Sequence, residues 1–309
     1  MRLAMIGLGK MGANMTRRLC KAGIEVVGFN RSPEIRDELA KEVGMIPAPT
    51  LVGALAKLEK PRIVWVMLPS GKPTEKAIKD LEDRLSSGDI VIDGGNSNYK
   101  DSQRRGAMLA QSGIGYVDVG TSGGIWGLQN GYCLMIGGEK QHVDPLRPLF
   151  EALAPGKDRG WLHVGRSGAG HFTKMIHNGI EYGMMQALAE GFALMQAKED
   201  FHIDLAQLAE TWRHGSVISS WLLDLTAGAL QKDQVLTAID PHVADSGEGR
   251  WTVMESIDLG IPAPVISLAL QMRFDSQRPA SYSNKMLSIM RNAFGGHDIK
   301  AAGQDTQQG

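Results

Sequence analysis

Arg2-Leu3-Ala4-Met5-Ile6 is a short apolar strand that feeds Gly7-Leu8-Gly9-Lys10-Met11-Gly12, and Met15, Leu19 and Ala22 then mark a helix that stops at Gly23. Strand, three glycines at this spacing and helix together open a βαβ unit. Gly7 permits the tight turn, Gly9 lets a pyrophosphate approach the backbone, and Gly12 allows close packing of helix on strand. Free N–H groups and the dipole at the helix N-terminus favour an anion there. Taken alone the glycines would constrain little. In this context they commit the N-terminal half to a dinucleotide-binding sheet, with Gly7, Leu8, Gly9, Lys10, Met11 and Gly12 as cofactor contacts.

Further strands are expected at 25–30, 62–68, 89–93, 116–119 and 133–137, with helices at 33–43, 50–58, 73–85, 101–112 and 143–153. Strands alternating with helices imply a parallel sheet with crossover helices. From about residue 167 the alternation ends, and helices are expected at 169–198, 204–213, 217–230, 250–259, 262–276 and 281–293. Pro241, Pro262, Pro264 and Pro279 punctuate them. The expected architecture is α/β followed by all-α: a Rossmann-type doubly wound sheet over 1–165, an all-helical substrate and oligomerisation domain over 166–300, and a disordered small, polar tail over 301–309.

The end of the second strand bears on cofactor choice. An acidic residue there would bind the adenosine ribose 2′-hydroxyl and repel a 2′-phosphate. This chain has Asn30-Arg31-Ser32. Arg31 either pairs with a 2′-phosphate and stacks on adenine, or is a solvated loop residue that tolerates NAD. NADP is favoured over NAD. Met67 and Leu68, at the end of the strand 62–68, and Asn96 complete the expected cofactor contacts.

The stretch 168–182 carries the chemistry. At about 100° per residue, Lys174, His177, Asn178 and Glu181 fall within an arc roughly 100° wide on one helix face. Met185, Leu188 and Phe192 continue that azimuth, while Met175, Ile176, Ile180 and Gly183 occupy the opposite side. A helix apolar nearly all round is a buried helix. Burial lowers a lysine pKa and raises a carboxylate pKa, which suits a base and an acid working near neutrality. On spacing alone the stripe is either catalytic or a structural ion pair.

The chain has 309 residues, formal net charge −1, 43% hydrophobic and 22% charged residues. That composition supports a core and argues against a general polyanion binder, so an anionic ligand requires a local basic cluster. Two cysteines, Cys20 and Cys133, lack disulfide or metal-ligand spacing and are expected as buried thiols; no metal is expected. The N-terminus reads as a strand rather than a signal sequence, and no segment offers the ~18 apolar residues of a membrane span. A soluble cytoplasmic protein without membrane or nucleic-acid partners is expected.

Asp93-Gly94-Gly95-Asn96-Ser97, Gly120-Thr121-Ser122-Gly123-Gly124 and Lys174-Met175-Ile176-His177-Asn178-Gly179-Ile180-Glu181-Tyr182 follow the glycine turn in order. In that register the chain resembles the decarboxylating 6-phosphogluconate dehydrogenases, specifically their short bacterial form, over roughly residues 1–300. The wider β-hydroxyacid dehydrogenase superfamily shares the fold and the lysine but lacks the adjoining His-Asn and the later Glu. The resemblance implies that Lys174 takes the proton of the substrate's 3-hydroxyl as hydride leaves C3. It implies that Glu181 protonates C1 of the enediol to release ribulose 5-phosphate. Asn96, Ser122, Gly123, Gly124, His177 and Asn178 match positions that hold the sugar acid. Tyr182, Arg273, Arg291 and His297 match its phosphate site. The segment 291–297 resembles a tail that the family inserts into a neighbouring subunit, which implies a homo-oligomer, dimer or tetramer, with shared active sites.

The chain departs from the longer members in three ways. Ser246-Gly247-Glu248 stands where they carry a lysine and a threonine, so Glu248 either turns outward or the phosphate sits elsewhere, with Arg250 as compensation. Ile125-Trp126 replaces acidic residues, and the second helical repeat is missing. Two other readings remain: a β-hydroxyacid dehydrogenase acting on a small acid such as 3-hydroxyisobutyrate, and a non-catalytic NADP-binding sensor.

Overall fold

The structure, a computed structural model, describes residues 1–278 and 281–295. It divides into two compact units, Met1–Ile180 and Glu181–Gly309. The first unit opens with β1 (Arg2–Ile6), α1 (Lys10–Lys21), β2 (Glu25–Phe29), α2 (Pro33–Val43), a two-residue β3 (Ile46–Pro47) and α3 (Leu51–Leu55). It continues with β4 (Ile63–Val66), α4 (Lys72–Glu82), β5 (Ile90–Asp93), α5 (Tyr99–Gln111) and β6 (Gly115–Ser122). Then come α6 (Gly127–Asn130), β7 (Cys133–Gly138), α7 (Lys140–Val143), α8 (Arg147–Leu153), β8 (Trp161–Gly165) and α9 (Ala169–Ala197), which runs on into the second unit.

Eight strands form one sheet in the order β3-β2-β1-β4-β5-β6-β7-β8. Strands alternate their side chains between two apolar layers: Leu3, Met5, Trp65 and Ile92 enter one, and Ala4, Ile6, Val64 and Val91 the other. The strand order turns back between β1 and β4, where ligands of open α/β sheets bind. The expected all-parallel sheet needs correction. β7 pairs antiparallel with β6, because residues 123–132 are too few for a crossover, which takes about a dozen or more. β8 then runs parallel to β7. The helix expected over 143–153 is broken into α7, a 3₁₀ turn and α8, with Pro145 and Pro148 opening the later pieces.

The expected boundary near residue 165 follows the end of the sheet, but the compact units meet inside α9, at Ile180 and Glu181. The cause is the seating of the first turns of α9 on β6 and β7. A Cβ on Gly170 would lie 2.5 Å from the carbonyl oxygens of Asp118 and Met135, and one on Gly120 would lie 2.4 Å from the Cβ of Lys174. Asp118, fully buried, accepts hydrogen bonds from the N–H groups of Gly168 at 2.6 Å and His171 at 2.8 Å. Its carboxylate thus satisfies backbone donors at the helix start that would otherwise be orphaned. Helix α9 is not buried all round as its composition suggested. Ile180 is 52% exposed, Met184 43% and Leu194 74%.

The second unit adds α10 (Leu205–Trp212), α11 (Trp221–Leu230), α12 (Glu248–Asp258), α13 (Pro264–Ser276) and α14 (Tyr282–Gly295). Asp204 and Ser220 cap α10 and α11 by accepting from Gln207 N and Leu223 N. Phe192 packs with Leu205, Ala209, Leu223 and Ala227, and Tyr182 packs with Ala269 and Leu270. No helix among the described residues is long and apolar enough to cross a membrane.

On the sheet unit, Glu75 receives Arg104 at 2.6 and 2.7 Å and Arg105 Nε at 2.8 Å. The Arg104 hydrogen bonds, opposed by partial burial and helped by Arg105, bring its carboxyl down to about 2 from an ordinary 4.5. A depressed carboxylate stabilises the fold above its unfolded value and loses that contribution as pH falls towards the folded one. Glu75→Gln is therefore expected to be less stable than the native chain at pH 6, by no more than about 1 kcal/mol given its exposure. The difference should fade as pH falls from 4.5 towards about 2, as read by urea unfolding at each pH. Gly120→Ala should cost about 1–3 kcal/mol by forcing α9 off the strand. Gly191→Ala, in the same helix with nothing within 4 Å of the new methyl, should instead stabilise it by about 0.5–1 kcal/mol. Urea midpoints of the two variants should shift in opposite directions.

Candidate active site

The glycine turn has the shape a dinucleotide requires. Gly7 sits at φ +96°, and a Cβ there would lie 2.4 Å from Met67 O. A Cβ on Gly12 would lie 2.1 Å from Gly7 O, so this glycine closes α1 onto β1. Gly9 is different: nothing lies within 4 Å of its missing side chain. No side chain caps the start of α1, and no acidic residue stands in its first turn. The helix therefore presents backbone donors and its positive end to open space. A cavity of about 400 Å³ adjoins it, lined by Leu8, Gly9, Lys10, Ala13, Asn14, Arg17, Ile35 and Ile125. These residues fit a bound pyrophosphate.

Asn30 hydrogen-bonds to the glycine turn and to its own loop. Its Oδ1 accepts from Leu8 N at 3.1 Å and its Nδ2 donates to Ser32 O at 3.1 Å. It ties the end of β2 to the glycine turn. Arg31 and Ser32 beside it are exposed. Met67 and Leu68 leave the end of β4 at the switch point, against Gly7.

The loop after β5 and the end of β6 are joined by Asn96. Its Nδ2 donates to Thr121 O at 3.2 Å and its Oδ1 accepts from Thr121 N at 3.0 Å. Asn96 sits at φ +47°, which asparagine tolerates better than most residues. This bidentate clasp brings the Asp93–Ser97 and Gly120–Gly124 motifs together. Ser122 then closes β6, and Gly123 and Gly124, at φ +123° and +51°, turn the chain away.

On α9, Lys174 is 6% exposed, deep for an ammonium. Asn178 Oδ1 accepts from its Nζ, His177 Nδ1 lies 3.3 Å away, and Nδ1 and Oδ1 are themselves 3.1 Å apart. The i, i+3 and i+4 spacing on one helix face produces this triangle. Glu181 lies seven residues on along the same helix and is half-buried.

The second unit gathers part of the expected phosphate site. Arg273 stacks on the Tyr182 ring, its Cζ 3.4 Å from the centroid, and donates to Ala244 O at 2.9 Å. The Tyr182 hydroxyl meets Ser246 Oγ at 3.0 Å, and Ser246 donates on to the Glu248 carboxylate. Glu248 is thus hydrogen-bonded into the Tyr182 chain. Arg250 pairs with Asp245 and lies 4.4 Å over the Phe274 ring, so its charge is engaged away from Glu248. Arg291 is exposed on α14. His297 and the tail 301–309 lie outside the described residues.

Sequence reasoning missed several residues that build this site. Asp93, Arg105 and Tyr116 form a buried polar cluster: Asp93 Oδ2 accepts from Ser97 Oγ at 3.1 Å, Arg105 Nη1 at 3.0 Å and Tyr116 OH at 2.9 Å. Burial and the neighbouring Asp93 push the Tyr116 hydroxyl well above its ordinary pKa. Asp118 was likewise unremarked, although an Asp inside an apolar strand is a signal that its carboxylate has a partner. Cys133 requires a correction. Expected buried, it is exposed, because strand alternation turns it opposite to buried Leu134 and across the ladder from Ser122. Partial covering of the sulfur raises its pKa, opposed by the Lys174 charge.

A family model described as the NAD binding domain of 6-phosphogluconate dehydrogenase matches residues 2–165, and one described as the 6-phosphogluconate dehydrogenase C-terminal domain matches residues 170–306. YqeC of Bacillus subtilis is 42% identical over 297 residues, 96% of this chain and 98% of that protein. The NAD(+)-dependent, decarboxylating 6-phosphogluconate dehydrogenase of Haloferax volcanii is 39% identical over 300 residues, 97% of this chain and 98% of that one. Among solved structures, Plasmodium falciparum 6-phosphogluconate dehydrogenase, studied with NADP+ and with 6-phosphogluconate, superposes with a TM-score of 0.83 at 28% identity, over 99% of this chain and 67% of that one. The chain carries a glycine turn shaped for a dinucleotide, a buried lysine held by His and Asn, and both family domains in order; it belongs to the 6-phosphogluconate dehydrogenase family of NAD(P)-dependent oxidoreductases.

Proposed function

We propose that this chain oxidises and decarboxylates 6-phosphogluconate to ribulose 5-phosphate and CO2, with Lys174 as base and Glu181 as acid. The observation that carries the reading is the buried Lys174, its Nζ engaged by Asn178 and His177, on a helix seated against the strand that ends in Ser122. The backbone donors of the glycine turn would hold a nicotinamide cofactor, which would supply the hydride acceptor for substrate C3. Lys174, as a neutral amine, takes the 3-hydroxyl proton as the C3 carbonyl forms. Protonated Lys174 then stabilises the oxygen that gains negative charge as the C1–C2 bond breaks and CO2 departs. Glu181 delivers a proton to C1 of the enediol, giving the ketose. Ser122, Gly123, Gly124, His177, Asn178 and Asn96 orient the hydroxyls and carboxylate by neutral hydrogen bonds. Since Asn96 already clasps Thr121 at both ends of its amide, its second lone pair and second N–H are what remain for substrate or cofactor.

Cofactor preference rests on the end of β2. Arg31 offers a 2′-phosphate a cation and no carboxylate stands beside it, which favours NADP; the Plasmodium relative takes NADP+, whereas the Haloferax relative is named as NAD(+)-dependent. The phosphate is assigned to Arg273, Tyr182, Arg291 and His297. The last two belong to the C-terminal segment, which we assign to a neighbouring subunit's site in a homo-oligomer, dimer or tetramer. Exposed apolar residues on α12, α13 and α14, such as Ile257 at 73%, Val265 at 67% and Leu287 at 54%, support such an assembly.

Purified protein should reduce NADP with a higher kcat/KM than NAD on 6-phosphogluconate and release one CO2 per cofactor reduced. Reduction without CO2 would point to a β-hydroxyacid dehydrogenase, and cofactor binding without turnover to a sensor. Lys174→Ala should lower kcat by about 10²–10⁴-fold with cofactor affinity retained; near-normal turnover would remove Lys174 from its role. Truncation before Arg291 should raise KM for the phosphorylated acid, each lost charge-assisted hydrogen bond being worth about 1.5–3 kcal/mol. An unchanged KM would show that the tail does not reach a site.

A further inference from the structure

Helix α5 carries two inward side chains three residues apart, Ser102 and Arg105, each almost wholly buried. Arg105 serves the loop after β5, where its Nη1 donates to Asp93 Oδ2 and to Ser97 Oγ, both at 3.0 Å. That loop places Asn96. Ser102 serves α9, where its Oγ lies 2.7 Å from His171 Nδ1, one turn before Lys174. His171 is 1% exposed, and its Nε2 has no hydrogen-bond partner among the described residues. Leaving half of a buried imidazole's hydrogen-bonding capacity unused is unfavourable. The Ser102 contact is thus the hydrogen bond that orients the ring among the described residues, while the His171 backbone N–H donates separately to Asp118.

We propose that α5 is a bracket that fixes the distance between the Asn96 loop and the Lys174 amine, with Ser102 and His171 as positioning residues for the base. Tyr116, donating to Asp93 at 2.9 Å, braces the same cluster from β6. The Asp93, Ser97, Arg105 and Tyr116 groups satisfy one another, and a satisfied buried polar network is rigid. The reaction is sensitive to such a frame, because proton abstraction needs the base within about 2.6–3.2 Å of the hydroxyl. A displacement of about 1 Å can cost ~10²-fold in rate. His171 touches neither substrate nor cofactor in this scheme and acts only through the placement of α9.

The inference rests on the decarboxylating dehydrogenase reading, and one set of variants separates the two. Ser102→Ala and His171→Ala should each lower kcat on 6-phosphogluconate by about 10–100-fold. The NADP dissociation constant and the KM for the sugar acid should stay near native values. His171→Asn, whose amide can meet Ser102, should recover much of kcat, and the Ser102→Ala/His171→Ala double variant should lose no more than either single one, as expected for partners in one contact. Leu149→Ala, in the core on one face of the sheet, should lower Tm without the loss of kcat. Should His171→Ala fail to fold, Ser102→Ala, which removes one oxygen, carries the same test. Additive losses, no rescue by asparagine, or kcat within about twofold of native in the folded variants would overturn the bracket, while absence of turnover in the native chain would overturn the reading beneath it.

Discussion

The missing side chain of Gly120 is the constraint on which the seating of α9, and with it Lys174, depends. Only a hydrogen at that position lets α9 descend until the Cβ of Lys174 stands 2.4 Å from where a Cβ of residue 120 would be. The same close approach recurs one turn earlier, where Gly170 lies over Asp118 and Gly137. Two backbones in near contact leave no room for water, and this dry seam buries Lys174. Asp118 makes the approach tolerable by taking the first N–H groups of the helix, whose burial without partners would be costly. Position and desolvation of the amine therefore have one cause.

The cofactor turn uses glycine for a different purpose. Gly7 and Gly12 close α1 onto β1, while Gly9 leaves space open in front of the helix N-terminus. Close packing thus creates an exposed row of backbone donors instead of filling it. Asn30 holds that turn from β2, and Asn96 plays the equivalent part between the loop after β5 and β6. Both asparagines act through main-chain hydrogen bonds, so the loops beside them are set by the sheet beneath.

Much of this was legible from residue order. The glycine fingerprint, the alternation of strands and helices and the later helical run predicted the sheet unit and the helices that follow it, because each depends on local periodicity and turn chemistry. Less local features escaped. The reversal of β7 follows from the shortness of 123–132 and from pairing with β6, and the short β3 and β8 are stabilised by their neighbours rather than by their own pattern. The apolar composition of α9 suggested burial on all sides, yet Ile180, Met184 and Leu194 are exposed in the single chain. Composition records that a side chain is suited to being covered, not what covers it. Cys133 erred in the other direction, since the alternation of one strand turned it outward.

The sequence by itself determined the dinucleotide turn and the Lys174, His177 and Asn178 stripe, because a helical repeat places residues three and four apart on one face whatever surrounds them. It determined equally that no acidic residue closes the second strand. Only the tertiary structure decided that Asp118, Gly120, Ser102 and His171 meet around the first turns of α9. Those residues lie as much as sixty-nine positions apart, as between Ser102 and His171, and meet through sheet register and the path of one helix, neither of which any local pattern encodes.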